Sequence, residues 1–380
     1  MVPIEGRVED GFERVRAAYL SNFTERGDVG ASVCVYHRGG IVVDLWGGYI
    51  DRPGKKLYDE DALQVVFSTS KGVLAICAHL LAEQGELDLD APIAHYWPEF
   101  EAEGKGSIPV RWILSHRTGL VGIDEPLNLE EFLAGDPVVE RLAMQRPAWE
   151  PGTGHGYHPL TFGYLIGEVI QRITGQTAGG YLADVSHALE LDMWIGLPES
   201  EEGRVAPLID FPARTPSDSF PMYQAGTLAY RANTNPSISI PLFNTRAVRR
   251  AEIPAANVTT NARSLARLYA SCIGTVDGVR LLTEDSTDAA RQPQSVGIDL
   301  VLGQMTAIGS GFFLPTPRLP MAGFGSFGHD GLGGSLAFAH PELDLSFAYV
   351  MNQCRSYVGD DPRTSSLVQA LLDSLPPQHR

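Results

Sequence analysis

Residues 65–85 read VVFSTSKGVLAICAHLLAEQG, an apolar helical run with a single cation near its head. The chain holds 25 arginines and only four lysines, Lys55, Lys56, Lys71 and Lys105. Lys55, Lys56 and Lys105 lie in polar, Gly-flanked stretches and are expected to be solvated. Lys71 instead sits among Val65, Val66, Phe67, Val73 and Leu74, three residues after Ser68. Residues three apart share a helix face, so the two side chains are placed to touch. A serine hydroxyl is a poor nucleophile until a base takes its proton. Arginine does not shed its proton in proteins, whereas desolvation disfavours the charge of a lysine among apolar neighbours. At the first turn of this helix, Ser68 would also face backbone N–H groups that favour developing negative charge. The competing reading is an N-capping serine beside a snorkelling lysine, and Ser-x-x-Lys alone does not separate the two.

Around this segment, residues 8–26 have helical spacing (Val8, Phe12, Val15, Ala18, Tyr19), and ASVCVYH-RGG-IVVDLWGGYI reads as a hairpin. IPVRWILSHRTGL is expected to be a short buried helix ended by glycine, and 160–174 a helix closing on Gly175. Residues 198–257, rich in Pro, Asn and Ser, suggest a long wrapping segment. NARSLARLYASCI gives another helix, GGSLAFAH-PEL-DLSFAYVMN a second hairpin, and residues 364–374 a closing helix. Strands at both ends and helices between predict an α+β fold, with one antiparallel sheet built from the two termini and flanked by helices. The expected division is a discontinuous α/β domain of residues 1–66 and 250–380, with 67–249 an inserted, mostly helical and loop-rich lobe and the site at the junction.

The net charge of −17 argues against nucleic acid or an anionic membrane as partner, since both need clustered basic surface. The N-terminus MVPIEGRVEDGFERVRAAYL has neither the basic flank nor the apolar centre of a signal peptide. No apolar run approaches the ~20 residues that span a bilayer. A soluble, cytoplasmic protein is expected. Cys34, Cys77, Cys272 and Cys354 are widely spaced among apolar residues, which favours buried free thiols over disulfides or a zinc site.

Two further motifs give Ser68 and Lys71 partners. Tyr157 follows a Pro-Gly loop in PGTGHGYHP (151–159), the kind of shoulder on which site residues are held. A tyrosine near a lysine can shuttle the proton between nucleophile and leaving group. In GHDGLGGSLAF (328–338), His329-Asp330-Gly331 stands at the start of an expected strand, with glycine enough for close backbone approach. An N–H there would complete an oxyanion hole with that of Ser68.

These three motifs, in this order and at these separations, resemble those of the class C β-lactamase-like serine hydrolases, which include class C β-lactamases, DD-peptidases and family VIII carboxylesterases. The resemblance covers roughly residues 10–355 and implies a β-lactamase/penicillin-binding-protein-like fold. It implies Ser68 as the acylated nucleophile, Lys71 as its base and Tyr157 as general acid/base. It further implies that His329, Asp330 and Gly331 line the site and that the Leu332 N–H is the second oxyanion donor. No metal or organic cofactor is implied. The family's Tyr-x-Asn is here Tyr157-His158-Pro159 and its Lys-Thr-Gly is His329-Asp330-Gly331, so the groups that hold a β-lactam's amide and a substrate carboxylate are changed. Asp330 would repel a carboxylate, which moves the expectation toward small neutral esters and the esterase branch. β-Lactamase or DD-peptidase chemistry, acyl transfer and a non-catalytic binding module are the alternatives.

Other patterns carry less. No serine has glycines at both −2 and +2, as a nucleophile elbow requires. Gly323-Phe-Gly325-Ser-Phe-Gly328 matches a dinucleotide fingerprint but leads into a strand, so it reads as a loop. His155 and His158 lack the carboxylates of a metal site. Trp149 and the 200–255 segment are candidates for shaping an acyl pocket. The oligomeric state is not legible.

Overall fold

The computed structural model describes residues 2–52, 54–210, 224–355 and 361–376. Among the described residues eleven strands form in chain order: β1 (Ile4–Val8), β2 (Gly30–His37), β3 (Gly40–Gly48), β4 (Gln64–Val65), β5 (Met193–Trp194), β6 (Thr259–Thr260), β7 (Ser295–Ile298), β8 (Met305–Ile308), β9 (Phe327–Asp330), β10 (Leu336–His340) and β11 (Leu345–Met351). The two expected hairpins share one antiparallel sheet of order β1-β3-β2-β11-β10-β9, with β11 against β2 in the register Cys34↔Ala348. The fold is α+β, with the antiparallel sheet built from both ends of the chain as expected.

Side chains alternate across this sheet with period two. Val33, Val35, Val43, Leu45, Phe347 and Tyr349 face the terminal helices Glu13–Thr24 and Pro362–Ser374 through Val15, Tyr19, Leu367 and Leu371. Cys34, Tyr36, Ala337, Ala339 and Ala348 face the helix Ala262–Ile273 through Leu265, Leu268 and Tyr269. Both faces are covered, so β2, β10 and β11 are buried almost throughout. The four cysteines are free thiols within these cores.

The helix of the opening segment runs Thr69–Glu83, and every residue from Thr69 to Leu81 is buried. An all-round apolar helix has nowhere stable but the interior. Gly72 makes this position possible, because a Cβ there would stand 2.0 Å from the Tyr269 hydroxyl of the crossing helix.

Several expectations are corrected. The 8–26 helix begins at Glu13, because Ile4–Val8 pairs as an edge strand with β3. Lys105 is not solvated. It has no exposed surface, and its Nζ donates to the carbonyls of Ala102 (2.7 Å), Ala143 (2.9 Å) and Gln145 (2.7 Å). The carbonyls at the end of the helix Asp136–Met144 lack intrahelical donors, and a cation satisfies them. The helix expected in IPVRWILSHRTGL is only Arg111–Leu114. His329-Asp330 closes β9 rather than opening a strand. The 323–326 stretch is loop, and short helices punctuate the described part of 198–257, at Leu228–Asn233, Ile240–Phe243 and Arg246–Arg250. Residues 211–223 of that segment lie outside the described residues.

A buried ion network closes the sheet behind the 331–335 turn. Arg363, 1% exposed, donates to Asp28 Oδ1 (2.8 Å), Asp361 Oδ1 (3.0 Å) and the carbonyls of Gln353 (2.8 Å) and Gly333 (2.6 Å). Removing the cation strands two buried carboxylates. Arg363→Met is therefore expected to lower unfolding free energy by about 3–5 kcal/mol in denaturant titrations.

Candidate active site

The approach to Ser68 is strained. After β4 pairs with β6, Phe67 takes φ 45°, a left-handed value that costs a bulky residue about 1–3 kcal/mol. Its ring is held edge-on against Phe243, with centroids 4.8 Å apart. The neighbours of Ser68 are committed elsewhere. Thr69 Oγ1 lies 3.0 Å from Ser335 Oγ, Ser335 Oγ donates to the Val66 carbonyl (2.8 Å), and Ser70 Oγ accepts from the Val258 N–H (3.1 Å). Ser68 makes no side-chain cap, so the capping reading fails. Its Oγ meets Lys71 Nζ at 3.1 Å instead.

Lys71 has no exposed surface. Its Nζ donates to the carbonyls of Pro159 (2.7 Å) and Ala255 (3.1 Å). Two donors are thereby used, and the third tetrahedral position faces Ser68 Oγ. When the amine is neutral, its lone pair points at the serine proton. Burial holds the Lys71 pKa well below the usual lysine value, and Asp330 pulls it partly back up. Pro159 stands where the resembled motif has asparagine, and its backbone carbonyl reaches Lys71.

The Tyr157 ring covers Lys71, with Nζ 4.8 Å from its centroid. Phe313 stacks on it at 5.8 Å and His329 flanks it at 6.0 Å. Burial raises the Tyr157 pKa and the carboxylates of Asp330 and Asp299 add to this, while the adjacent Ser68 hydroxyl and Arg318 oppose it. The phenol is therefore neutral across the working range.

His329 is buried, with Nδ1 2.6 Å from the Asp330 carbonyl. Asp330 is 8% exposed, with Oδ2 3.9 Å from Arg318. At Gly331 a Cβ would fall 2.3 Å from the Val66 carbonyl, so only glycine lets the 331–335 turn lie against the segment that leads into Ser68. Leu332 follows in that turn. Neither its N–H nor that of Ser68 has an acceptor among the described residues.

His116 was missed by sequence reasoning. It takes φ 59° and clamps Tyr157 from both sides. Its carbonyl accepts from the Gly156 N–H (3.0 Å) and its Nδ1 from the His158 N–H (3.1 Å). His158 and His155 turn toward Thr118 Oγ1 (2.8 Å) and Thr306 Oγ1 (2.9 Å). Trp149 packs edge-on to His158 at 6.2 Å. A cleft of about 940 Å³ lined by Leu133, Tyr164, Glu168 and Pro254 includes none of these catalytic candidates.

With this geometry in place, the comparisons assign a family. The beta-lactamase family pattern matches residues 17–370, and the chain belongs to that family of serine hydrolases. The "Esterase/beta-lactamase LipL" of Mycobacterium tuberculosis is 32% identical over 364 residues, covering 92% of this chain and 83% of the relative. A family VIII carboxylesterase structure superposes with TM-score 0.90 at 33% identity, covering 98% of this chain and all of that one. A penicillin-binding protein homologue from Caulobacter crescentus gives 0.91 at 37% identity, again with 98% and 100% coverage. No helix among the described residues is long and apolar enough to cross a membrane.

Burial is the leading cause that lowers the pKa values of His116, His158 and His329, to about 3 for the last two. The unfolded chain binds protons at these residues below about pH 6.5, while the native one does not. Their contribution is complete above that value and is lost as pH falls from it toward 3. Each histidine accounts for up to ~1.4 kcal/mol per pH unit. Denaturant midpoints should therefore drop as pH falls from about 7 to 4.5, and a flat profile would contradict burial of neutral rings.

Proposed function

We propose that the protein is a serine carboxylesterase acting on small neutral esters through an acyl-enzyme at Ser68. The observation that carries this reading is the buried Lys71, with two donors spent on carbonyls and the third position aimed at Ser68 Oγ. Neutral Lys71 takes the Ser68 proton as Oγ attacks the ester carbonyl. The oxyanion is assigned to the Ser68 and Leu332 N–H groups, which have no acceptor of their own among the described residues. On collapse of the tetrahedral intermediate, the Lys71 proton passes through the Tyr157 hydroxyl to the leaving alcohol. The phenol gives one proton while taking another, so no phenolate accumulates, in keeping with its raised pKa. Water then enters, and the same relay runs in reverse to release the acid.

Asp330 and Pro159 support the choice of ester over β-lactam. A carboxylate beside Lys71 disfavours an anionic substrate, and Pro159 offers only a carbonyl where an asparagine amide would bind a β-lactam side chain. The family VIII carboxylesterase neighbour supports this choice, whereas the relative named esterase/beta-lactamase does not separate the two. The cytoplasm remains the proposed location.

Hydrolysis of p-nitrophenyl acetate, set beside nitrocefin, tests the reading. Ser68→Ala and Lys71→Arg should each lose at least ~10²-fold in kcat with the fold intact, because neither retains the nucleophile–base pair. An active arginine variant would remove Lys71 from the base role, and nitrocefin turnover exceeding acetate would shift the assignment to β-lactams. The acid limb of kcat/KM should report Lys71 deprotonation. Asp330 raises that pKa, so Asp330→Asn should move the limb to lower pH. A shift to higher pH would contradict the assigned sign.

A further inference from the structure

We infer that Asp299 is the positioning residue for Tyr157, an inference that rests on the reading of Tyr157 as proton relay. Asp299 lies at the tip of the β7–β8 hairpin, where an aspartate ordinarily keeps its carboxylate in water. Here it is completely buried. Oδ1 accepts three backbone N–H bonds, from Val301 (2.8 Å) and Leu302 (2.8 Å) within its own turn and from Tyr157 (3.0 Å) across 142 positions of sequence. Oδ2 has no hydrogen-bond partner among the described residues. A buried carboxylate without a full set of partners is costly, so this one is tolerated where its bonds hold something in place.

What it holds is the backbone of the relay residue. The hairpin is closed at the same point by Asp299 N–H to the Gln304 carbonyl (2.9 Å) and Gly303 N–H to the Asp299 carbonyl (2.8 Å). A second strut runs from the Leu300 N–H to the His155 carbonyl (3.0 Å), and His155 Nε2 is pinned to Thr306 of β8. The loop carrying Tyr157 is thus fastened to the hairpin tip on one side and to His116 on the other. The ring over Lys71 follows from these two anchors. Among the described residues the Asp299 side chain hydrogen-bonds to neither Ser68 nor Lys71, so its influence on the reaction passes through Tyr157, whose backbone it holds and whose phenol pKa its charge helps to raise.

The experiment compares Asp299→Ala and Asp299→Asn in wild-type and Tyr157→Phe backgrounds, with Ser68→Ala as control and thermal melts on every variant. Asparagine keeps an oxygen acceptor for the three N–H groups, whereas alanine removes it. The expected result is a fall in kcat of about 10²-fold for alanine with KM little changed, and substantial rescue by asparagine. In the Tyr157→Phe background the alanine change should cost almost nothing further. Wild-type kcat in Asp299→Ala with Ser68→Ala dead would overturn the positioning role and leave the esterase reading standing. Equal losses for asparagine and alanine, or losses that add to that of Tyr157→Phe, would make Asp299 a residue of general stability and also overturn it. Ester hydrolysis retained in Ser68→Ala would instead overturn the reading on which the inference rests.

Discussion

The structure depends on a lysine kept from water. Lys71 Nζ lies between the carbonyls of Pro159 and Ala255, and each belongs to a segment that the fold brings from far along the chain. Pro159 follows the Tyr157 loop and Ala255 precedes β6, which pairs with the strand before Ser68. The three contacts of one amine therefore join the Thr69–Glu83 helix, the tyrosine loop and the segment leading into β6 at a single point. Burial depresses the pKa of that amine, and Asp330 pulls it partly back up.

The surrounding elements keep that point in register. The Thr69–Glu83 helix is buried along nearly its whole length, which fixes its rotation. Phe67 stores strain at its start, and such strain persists only where neighbours over-determine the backbone. Gly331 brings the 331–335 turn against Val66, and Arg363 holds the Gly333 carbonyl of that turn from behind. The donors assigned to the oxyanion are backbone groups on segments held in place by Phe67, Gly331 and Arg363.

Much of this was legible in the sequence where the determinants are local. Ser68 and Lys71 lie three apart on one helix, and the scarcity of lysine drew attention to the pair. The Gly-Gly turn between β2 and β3 and the Pro-Glu-Leu turn between β10 and β11 marked the hairpins, and strands at both ends of the chain suggested the sheet they share through β2 and β11. Tyr157 and His329 were found by order and spacing within a resemblance. The rest is tertiary. His116 and Asp299 act through backbone contacts made across about 40 and 142 positions, and a histidine after a short helix or an aspartate after SVGI carries no local mark of that role. Lys105 was misread because its glycine neighbours signal a turn, while the helix-end carbonyls that enclose it are 38 and 40 residues away.

The measurement that bears most directly on the account is the pH dependence of fluorophosphonate labelling, followed by mass spectrometry of the modified peptide. The predicted result is a single adduct on Ser68 whose rate rises with pH along one ionisation, with a midpoint well below the ~10.4 of an ordinary lysine. Labelling that tracks an unperturbed lysine, or an adduct on another residue, would contradict the claim that a buried, readily neutralised Lys71 activates Ser68.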